Sequence, residues 1–445
     1  MSNMTEGTPW KLLLKFTLPV LAGNMFQNFY NIMDAMIVGR YLGVNALAAV
    51  GGTGSLMFLV IGWIIGIESG FGVLVSQKYG AKQQEQLTHY VSMAMYLSII
   101  LAVIMTSALF FLNEPILRLM DTPKEIFADT SSYMAIIYAG LPITILYNLM
   151  AALNRSIGDS KTPLYFLIIS SILNVILDII LVGYTPMGVA GAAVATVVSQ
   201  GVSAVLCVIY TAKKHQVLKF SFTKWRTSSA GRMLSVAIPM ALQFSITAIG
   251  TMIVQVALNH LGAVYIASYS AANKLQNITM QFYVALGTGL ATFVGQNYGA
   301  KKIDRIKKGV NVAVRMVAVY SVFVMLISYF ILPNLVVIFA KDPTGQLREL
   351  ARQLYHISLW FYFPLGLIFI YRNTLQGVGN GLVPMLGGVF ELLARFLTIL
   401  LLFPSLQYVG VCLSDPAAWI SALIPLIPFY YWYMKKKVNQ IACQN

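Results

Sequence analysis

Four acids stand inside long apolar runs of this 445-residue chain: Asp34, Glu68, Asp178 and Glu391. An acid at the centre of a membrane helix costs about 2.5–3.5 kcal/mol on insertion scales. Each therefore needs a partner or a task. Asp34 and Asp178 share a context. Each stands shortly before a glycine (Gly39, Gly183) at the end of its run, and both runs point the same way, so the two carboxylates fall at similar depth. Asn174 lies one helical turn before Asp178 and shares its face. Thr196 enters the next run from the same side. Two carboxylates with an amide and a hydroxyl make a set of hard oxygens. Such a set either holds Na⁺ or shares one proton, because two close carboxylates resist joint ionisation.

Glu68 stands in the middle of its run, where it either lines a wet cavity and attracts cations or pairs with a polar group on a neighbouring helix. Gln27, Tyr30, Asn31 and Tyr147 are the other expected polar liners of a substrate cavity. Glu391 and Arg395 are four apart, the spacing of an ion pair within one helix; Arg372 is the alternative partner of Glu391. Lys274 is the remaining cation inside an apolar run. No HExxH, GxSxG or Walker pattern occurs, and Cys207, Cys412 and Cys443 form neither a disulfide framework nor a metal motif. The expectation is a protein that is not an enzyme and has no cofactor.

The elements that hold these residues must cross a membrane. The chain is 58% hydrophobic and 10% charged, against about 25% charged in soluble domains. Apolar stretches recur at about 12–39, 46–77, 87–112, 131–154, 162–183, 188–211, 232–258, 265–296, 309–338, 353–377, 383–403 and 416–434. A bilayer core needs roughly 20 apolar residues in a helix. Most of these runs are too long for barrel strands, so the fold class is an all-α integral membrane protein of twelve spans. The first run is too long for a cleavable signal, and no small-residue cleavage site follows it. The net charge of +15 lies in short loops, which is the pattern of membrane topology and not of a nucleic-acid face. Most Lys and Arg residues sort to one side when both termini are cytoplasmic; Arg40, Arg118, Lys124, Lys341, Arg348 and Arg352 fall on the other.

The chain also repeats itself. VSQKYGAK (75–82) returns as VGQNYGAK (294–301), and YLGVNALAAV (41–50) as HLGAVYIASY (260–269). Pro19 returns as Pro239, Pro142 as Pro364, and LNRSIGDSKTP (153–163) as LQGVGNGLVP (375–384). The spacing is near constant, so two six-helix lobes are expected, 1–222 and 223–445, with the basic segment 213–226 as their linker. An even number of spans keeps both halves in the same orientation, which implies a pseudo-twofold axis along the membrane normal.

With QNFYNIMDAMIVG in the first span, SQKYGA and GQNYGA closing the second and eighth, and RSIGDSKTP after the fourth, the chain resembles the multidrug and toxic compound extrusion (MATE) transporters. The resemblance covers nearly the whole chain. It implies a monomeric antiporter in a bacterial plasma membrane. Driven by H⁺ or Na⁺, such a protein exports small organic molecules, often cationic or amphiphilic, by alternating access. In the DinF-like branch, the positions matching Asp34, Asn174, Asp178 and Thr196 form the ion site. Another branch places acids in helices 7 and 10; here those helices offer Gln243, Gln255 and Arg372 instead, which favours coupling in the N-terminal lobe. The alternative reading is a flippase for a lipid-linked sugar or another amphiphile. Such a protein would be expected to line its cleft with several cations, and only Lys274, Arg372 and Arg395 are available.

Overall fold

The structure, a computed structural model, describes residues 3–338 and 345–442. Lys341 and Cys443 lie outside these residues. Among the described residues the chain is helical throughout, with no strand. Apolar sequence forces this choice: without water, backbone N–H and C=O groups must be satisfied within the segment. Six spanning elements make up the first half. They are α1 (Pro9–Leu42), α2 (Gly54–Gly80, preceded by the short helix Val44–Gly51), α3 (Gln84–Phe111), α4 (the bent pair Lys124–Ala139 and Leu141–Ser156), α5 (Lys161–Gly183) and α6 (Val189–Lys214). Six more follow: α7 (Thr227–Leu261), α8 (Ala263–Gly299), α9 (Ile303–Phe330), α10 (Gln346–Gly377), α11 (Leu382–Leu406) and α12 (Tyr408–Ala442).

Ten of these are long and apolar enough to span a membrane, and α4 makes eleven when its two parts are taken together. α1 has the length, with 34 residues. Its middle is more polar because it carries Asn24, Gln27, Asn28, Asn31 and Asp34.

Breaks fall where the backbone chemistry asks for them. α4 bends by 48° at Gly140, and Pro142 sits in the first turn after the break. α10 is interrupted by a 3₁₀ turn at Leu359–Phe361, and Pro364 follows in the first turn of the continuing helix. Proline lacks the N–H that a helix interior needs, and a first turn does not miss it.

The sequence repeat reappears in the backbone. Left-handed φ angles occur in matching pairs: Gly43 (86°) with Gly262 (102°), Lys82 (55°) with Lys301 (58°), Gly158 (85°) with Gly379 (84°), and Gly188 (57°) with Gln407 (51°). Left-handed lysines are disfavoured by roughly 1–2 kcal/mol each, so their recurrence marks one turn built twice.

The chain divides into two compact units, one of Leu18–Ala237 and the other of Ile238–Asn445 with Met4–Thr17. In the first, Val38, Met134, Tyr138, Leu141, Ala192 and Ala193 form a fully buried cluster around α1, α4 and α6. In the second, Leu258, Ala272, Tyr355, Val411 and Cys412 do the same around α7, α8, α10 and α12. Glycine permits close helix approach in both. A Cβ on Gly191 of α6 would stand 2.9 Å from the carbonyl oxygen of Leu181 in α5, and one on Gly410 of α12 would stand 2.9 Å from the carbonyl carbon of Leu402 in α11.

Candidate functional site

The first unit brings Asp34, Asn174, Asp178 and Thr196 together. α1 supplies Asp34; α5 supplies Asn174 and Asp178 from one face; α6 supplies Thr196. The close α5–α6 contact at Leu181 and Gly191 lies one turn from Asp178 and holds these helices at short range. Asn174 Nδ2 donates to Thr196 Oγ1 at 3.4 Å. The carboxyl groups of Asp34 and Asp178 lie beside each other. Asp178 is 0% exposed, Asn174 1% and Asp34 9%. Apart from the contact between the two acids, Asp34 Oδ1, Asn174 Oδ1 and both carboxyl oxygens of Asp178 are buried without a hydrogen-bond partner among the described residues. Buried polar atoms are ordinarily satisfied. Four oxygens left over in one place fit a hard cation, or a proton shared between the acids.

Two aromatic hydroxyls complete the surroundings. Tyr30, one turn before Asp34 on α1, lies near Gln27, Gln200 and both acids. Tyr133 of α4 interacts with Asp34, Asp178 and Tyr30. Thr144 Oγ1 donates to Gln200 Oε1 at 2.7 Å, tying α4 to α6. Tyr133, Thr144 and Gln200 carry no signal in the sequence, since tyrosine, threonine and glutamine are common in membrane helices.

Of the other expected cavity liners, Gln27 of α1 and Tyr147 of α4 both lie near Tyr30. Gln27 and Asn31 are exposed on α1. The Tyr147 hydroxyl donates to the backbone carbonyl of Pro163 at 3.1 Å. Glu68 is 1% exposed, and its Oε1 accepts from Ser98 Oγ of α3 at 2.8 Å. This is the pairing with a neighbouring polar helix, one of the two roles open to Glu68 in the sequence.

In the second unit, Glu391 pairs with Arg372, the second of the two partners considered for it. Arg395 turns instead to Asp415, at 3.0 Å from Nε to Oδ1. Asp415, just outside the apolar run expected at 416–434, thus lies within α12 and faces a buried arginine. α12 begins at Tyr408, earlier than its apolar run, and the arginine neutralises this acid within the unit. Tyr269 donates to Asp415 Oδ2 at 3.4 Å. Gln243 lies against Gln376 and the Arg372 guanidinium, and an amide rotation that points its oxygen at the arginine satisfies both groups.

The two halves can be aligned through their sequence repeat. Counting from Pro163 and Pro384, Asn174 corresponds to Arg395; counting from Gly191 and Gly410, Thr196 corresponds to Asp415. The Asn174–Thr196 contact and the Arg395–Asp415 ion pair therefore occupy the same place in their respective halves. One half leaves oxygens unsatisfied there, and the other fills the place with a guanidinium.

At the turn between α4 and α5, Asp159 Oδ1 accepts from the backbone N–H groups of Lys161 (3.1 Å) and Thr162 (3.0 Å), and Oδ2 accepts from Thr162 Oγ1 and pairs with His215 Nε2, both at 2.7 Å. Burial alone would raise this carboxyl. The hydrogen bonds from Thr162 and His215 outweigh it and hold Asp159 below the usual carboxylate range. The corresponding Asn380 Oδ1 accepts from Val383 N at 3.1 Å, a cap without the histidine.

Comparison with known proteins agrees with this architecture. The chain is 28% identical over 440 residues to the probable multidrug resistance protein YoeA of Bacillus subtilis, covering 96% of this chain and 95% of that one. It is 25% identical over 432 residues to the FAD transporter of Shewanella oneidensis, covering 95% and 93%. Among solved structures, it matches an outward-facing multidrug resistance MATE family transporter of the MOP superfamily with a TM-score of 0.91 at 19% identity, covering 98% of both chains. That match fixes the fold of twelve helices in two lobes. The MatE family model matches residues 19–180 and 239–401, once in each half. Members of this family are secondary transporters and not enzymes. With one copy of the family pattern in each six-helix half, the chain belongs to the MatE family of membrane transporters.

Proposed function

We propose that this chain is an antiporter of the DinF-like branch, coupling entry of H⁺ or Na⁺ to export of small organic molecules, drug-like and often cationic or amphiphilic. The observation that carries the reading is the buried oxygen set of Asp34, Asn174 and Asp178, four of whose oxygens, the contact between the two acids apart, have no hydrogen-bond partner among the described residues. A cation or proton bound there would favour one conformation over another only through its differential affinity for the two, which is how an ion gradient does work on a substrate. Multidrug resistance in the name of one relative and FAD transport in that of another support organic cargo of varied chemistry. The six-helix lobes 1–222 and 223–445, working as a monomer in a bacterial plasma membrane with both termini in the cytoplasm, would alternate access around the cargo.

The flippase reading draws less support. Arg372 and Arg395 are each committed to a carboxylate, Glu391 and Asp415, and so offer little charge to a lipid pyrophosphate.

The test is export of a fluorescent cation from reconstituted vesicles under an imposed Na⁺ or proton gradient. Asp34→Asn and Asp178→Asn should each lower gradient-driven export by at least about ten-fold, the loss expected when a charged partner worth more than about 1.4 kcal/mol is removed. The double variant should be little worse, since the pair acts as one unit. Drug binding in detergent should persist. Normal export by Asp34→Asn would sink the mechanism.

A further inference from the structure

Residues 215–226 join α6 to α7 and run as a strap along the first turns of α3, all within the first unit. Three side chains of α3 hold its backbone. Gln84 Nε2 donates to the carbonyl of Val217 at 3.1 Å, Ser92 Oγ to that of Ser221 at 2.6 Å, and the Tyr96 hydroxyl to that of Thr223 at 3.1 Å. The strap begins at His215, which is buried against Asp159. These bonds set its depth. The apolar run of α3 starts at Leu87. With a rise of about 1.5 Å per residue, Ser92 and Tyr96 stand roughly 8 and 14 Å along that run. Ile100 and Val103, one and two turns beyond Tyr96 on the same face, are exposed as lipid-facing residues are. The strap therefore lies at the level where headgroups give way to hydrocarbon.

The side chains it turns outward are of two kinds. Phe222 is 90% exposed and Trp225 48%. Phe220 meets Phe222 edge-on at 5.1 Å and Tyr96 edge-on at 6.1 Å, and Trp225 lies 6.4 Å from Tyr96, so these rings form one patch against α3. Beside them stand Lys219, Lys224 and Arg226, all exposed, with no ion pair among the described residues. The segment itself contains no acid. Its surroundings do not supply the missing charge. Arg226 faces His89 of α3, and Arg232 of α7 lies near Lys78 of α2. Of the first unit's acids at this end, Asp159 is turned to His215, and Glu85 is exposed without an ion pair among the described residues. A ring patch this exposed is unfavourable in water and suits a membrane boundary, where one end of each ring is apolar and the other is wet.

We propose that this strap is a binding site for anionic phospholipid headgroups, with Phe220, Phe222 and Trp225 at the acyl boundary and Lys219, Lys224 and Arg226 on the phosphates. The site is independent of the coupling ion and of the cargo. The three uncompensated cations select the occupant. Phosphatidylcholine carries its own ammonium and satisfies the rings alone, whereas a lipid of net negative charge satisfies rings and cations together. Charge-assisted hydrogen bonds from ammonium and guanidinium groups to phosphate add to that preference.

Trp225 lies within the patch, so the experiment uses its fluorescence. The full chain is reconstituted in bilayers containing acyl-brominated phosphatidylglycerol or acyl-brominated phosphatidylcholine. The Trp225 contribution is the difference between the parent and Trp225→Phe. Quenching by the brominated phosphatidylglycerol should reach half-maximum at a mole fraction at least about five-fold lower than by the phosphatidylcholine, the gain from one engaged cation. The exposed substitutions Lys219→Gln, Lys224→Gln and Arg226→Gln, made together and compared in the same way, should abolish that difference and leave quenching by phosphatidylcholine unchanged. Equal quenching of the parent by both lipids would mean ordinary contact with bulk lipid and would overturn the proposal. A preference that survives loss of the three cations would place the selectivity elsewhere and overturn it too, as would an absence of quenching by either lipid.

Discussion

The residues that decide most about this molecule are Asn174 and Thr196 in one half and Arg395 and Asp415 in the other, at matching places. Arg395 is 6% exposed, and its Nη1 has no hydrogen-bond partner among the described residues. A Cβ on Gly250 would meet that nitrogen at 2.8 Å, so the guanidinium packs directly on the α7 backbone, in space that glycine leaves. Asp415→Asn would leave a buried cation uncompensated, a change that costs about 3–5 kcal/mol. The expected result is a marked fall in unfolding temperature in detergent, restored in large part when Arg395→Met accompanies Asp415→Leu. An Asp415→Asn protein as stable as its parent would show that the pair is not a structural necessity. Asp34, Asn174 and Asp178 were legible in the sequence because an acid in an apolar run is an anomaly that demands explanation. Asp415 was hidden because it stands just outside the run that begins at 416, and only its distant partner makes it part of a helix interior. Tyr133 and Gln200 could not be found at all, since their role lies in where α4 and α6 pack.

At the scale of elements, helix spacing controls the site. Gly191 lets α6 approach the Leu181 carbonyl of α5, and Gly410 does the same for α12 against Leu402 of α11. The obstructing atoms are backbone and cannot rotate aside. Gly191→Val should therefore push α6 from α5 and destabilise the protein by about 1–3 kcal/mol, the usual cost of overpacking. Because the contact lies one turn from Asp178, ion-dependent export should fall as well. Gly410→Val should cost comparable stability and leave ion dependence intact, because the proposed ion set is in the other half. Measuring unfolding temperature and the ion concentration for half-maximal export in both variants separates these effects; an equal shift in ion dependence would refute the local role of Gly191. The twelve helices were readable from hydrophobic length, whereas proline alone did not mark the two interrupted ones: Pro142 and Pro364 follow breaks, but Pro19 and Pro239 lie in continuous helices. The glycine contacts were not readable, since a glycine in a membrane helix looks the same whether it faces lipid or a neighbouring backbone.

For the molecule as a whole, the internal repeat was the clearest message in the sequence, and its echo in four pairs of left-handed residues shows that the duplication extends to single turns. What the repeat could not disclose is how unequal the halves have become. A duplicated transporter would begin with two equivalent places for an ion. Here the guanidinium of Arg395, held by Asp415, stands in the second of them like a cation covalently tied to the chain. On the proposed coupling this fixes the stoichiometry. Among the described residues the unpartnered acid oxygens of this pair of places lie in the first half, so each cycle should admit ions at one site, and export should rise hyperbolically with ion concentration, with a Hill coefficient near unity. A sigmoidal dependence would show that a second site takes part. The tethered charge would also leave the second half in a permanently loaded condition, insensitive to the gradient and free to serve as the fixed partner against which the first half moves.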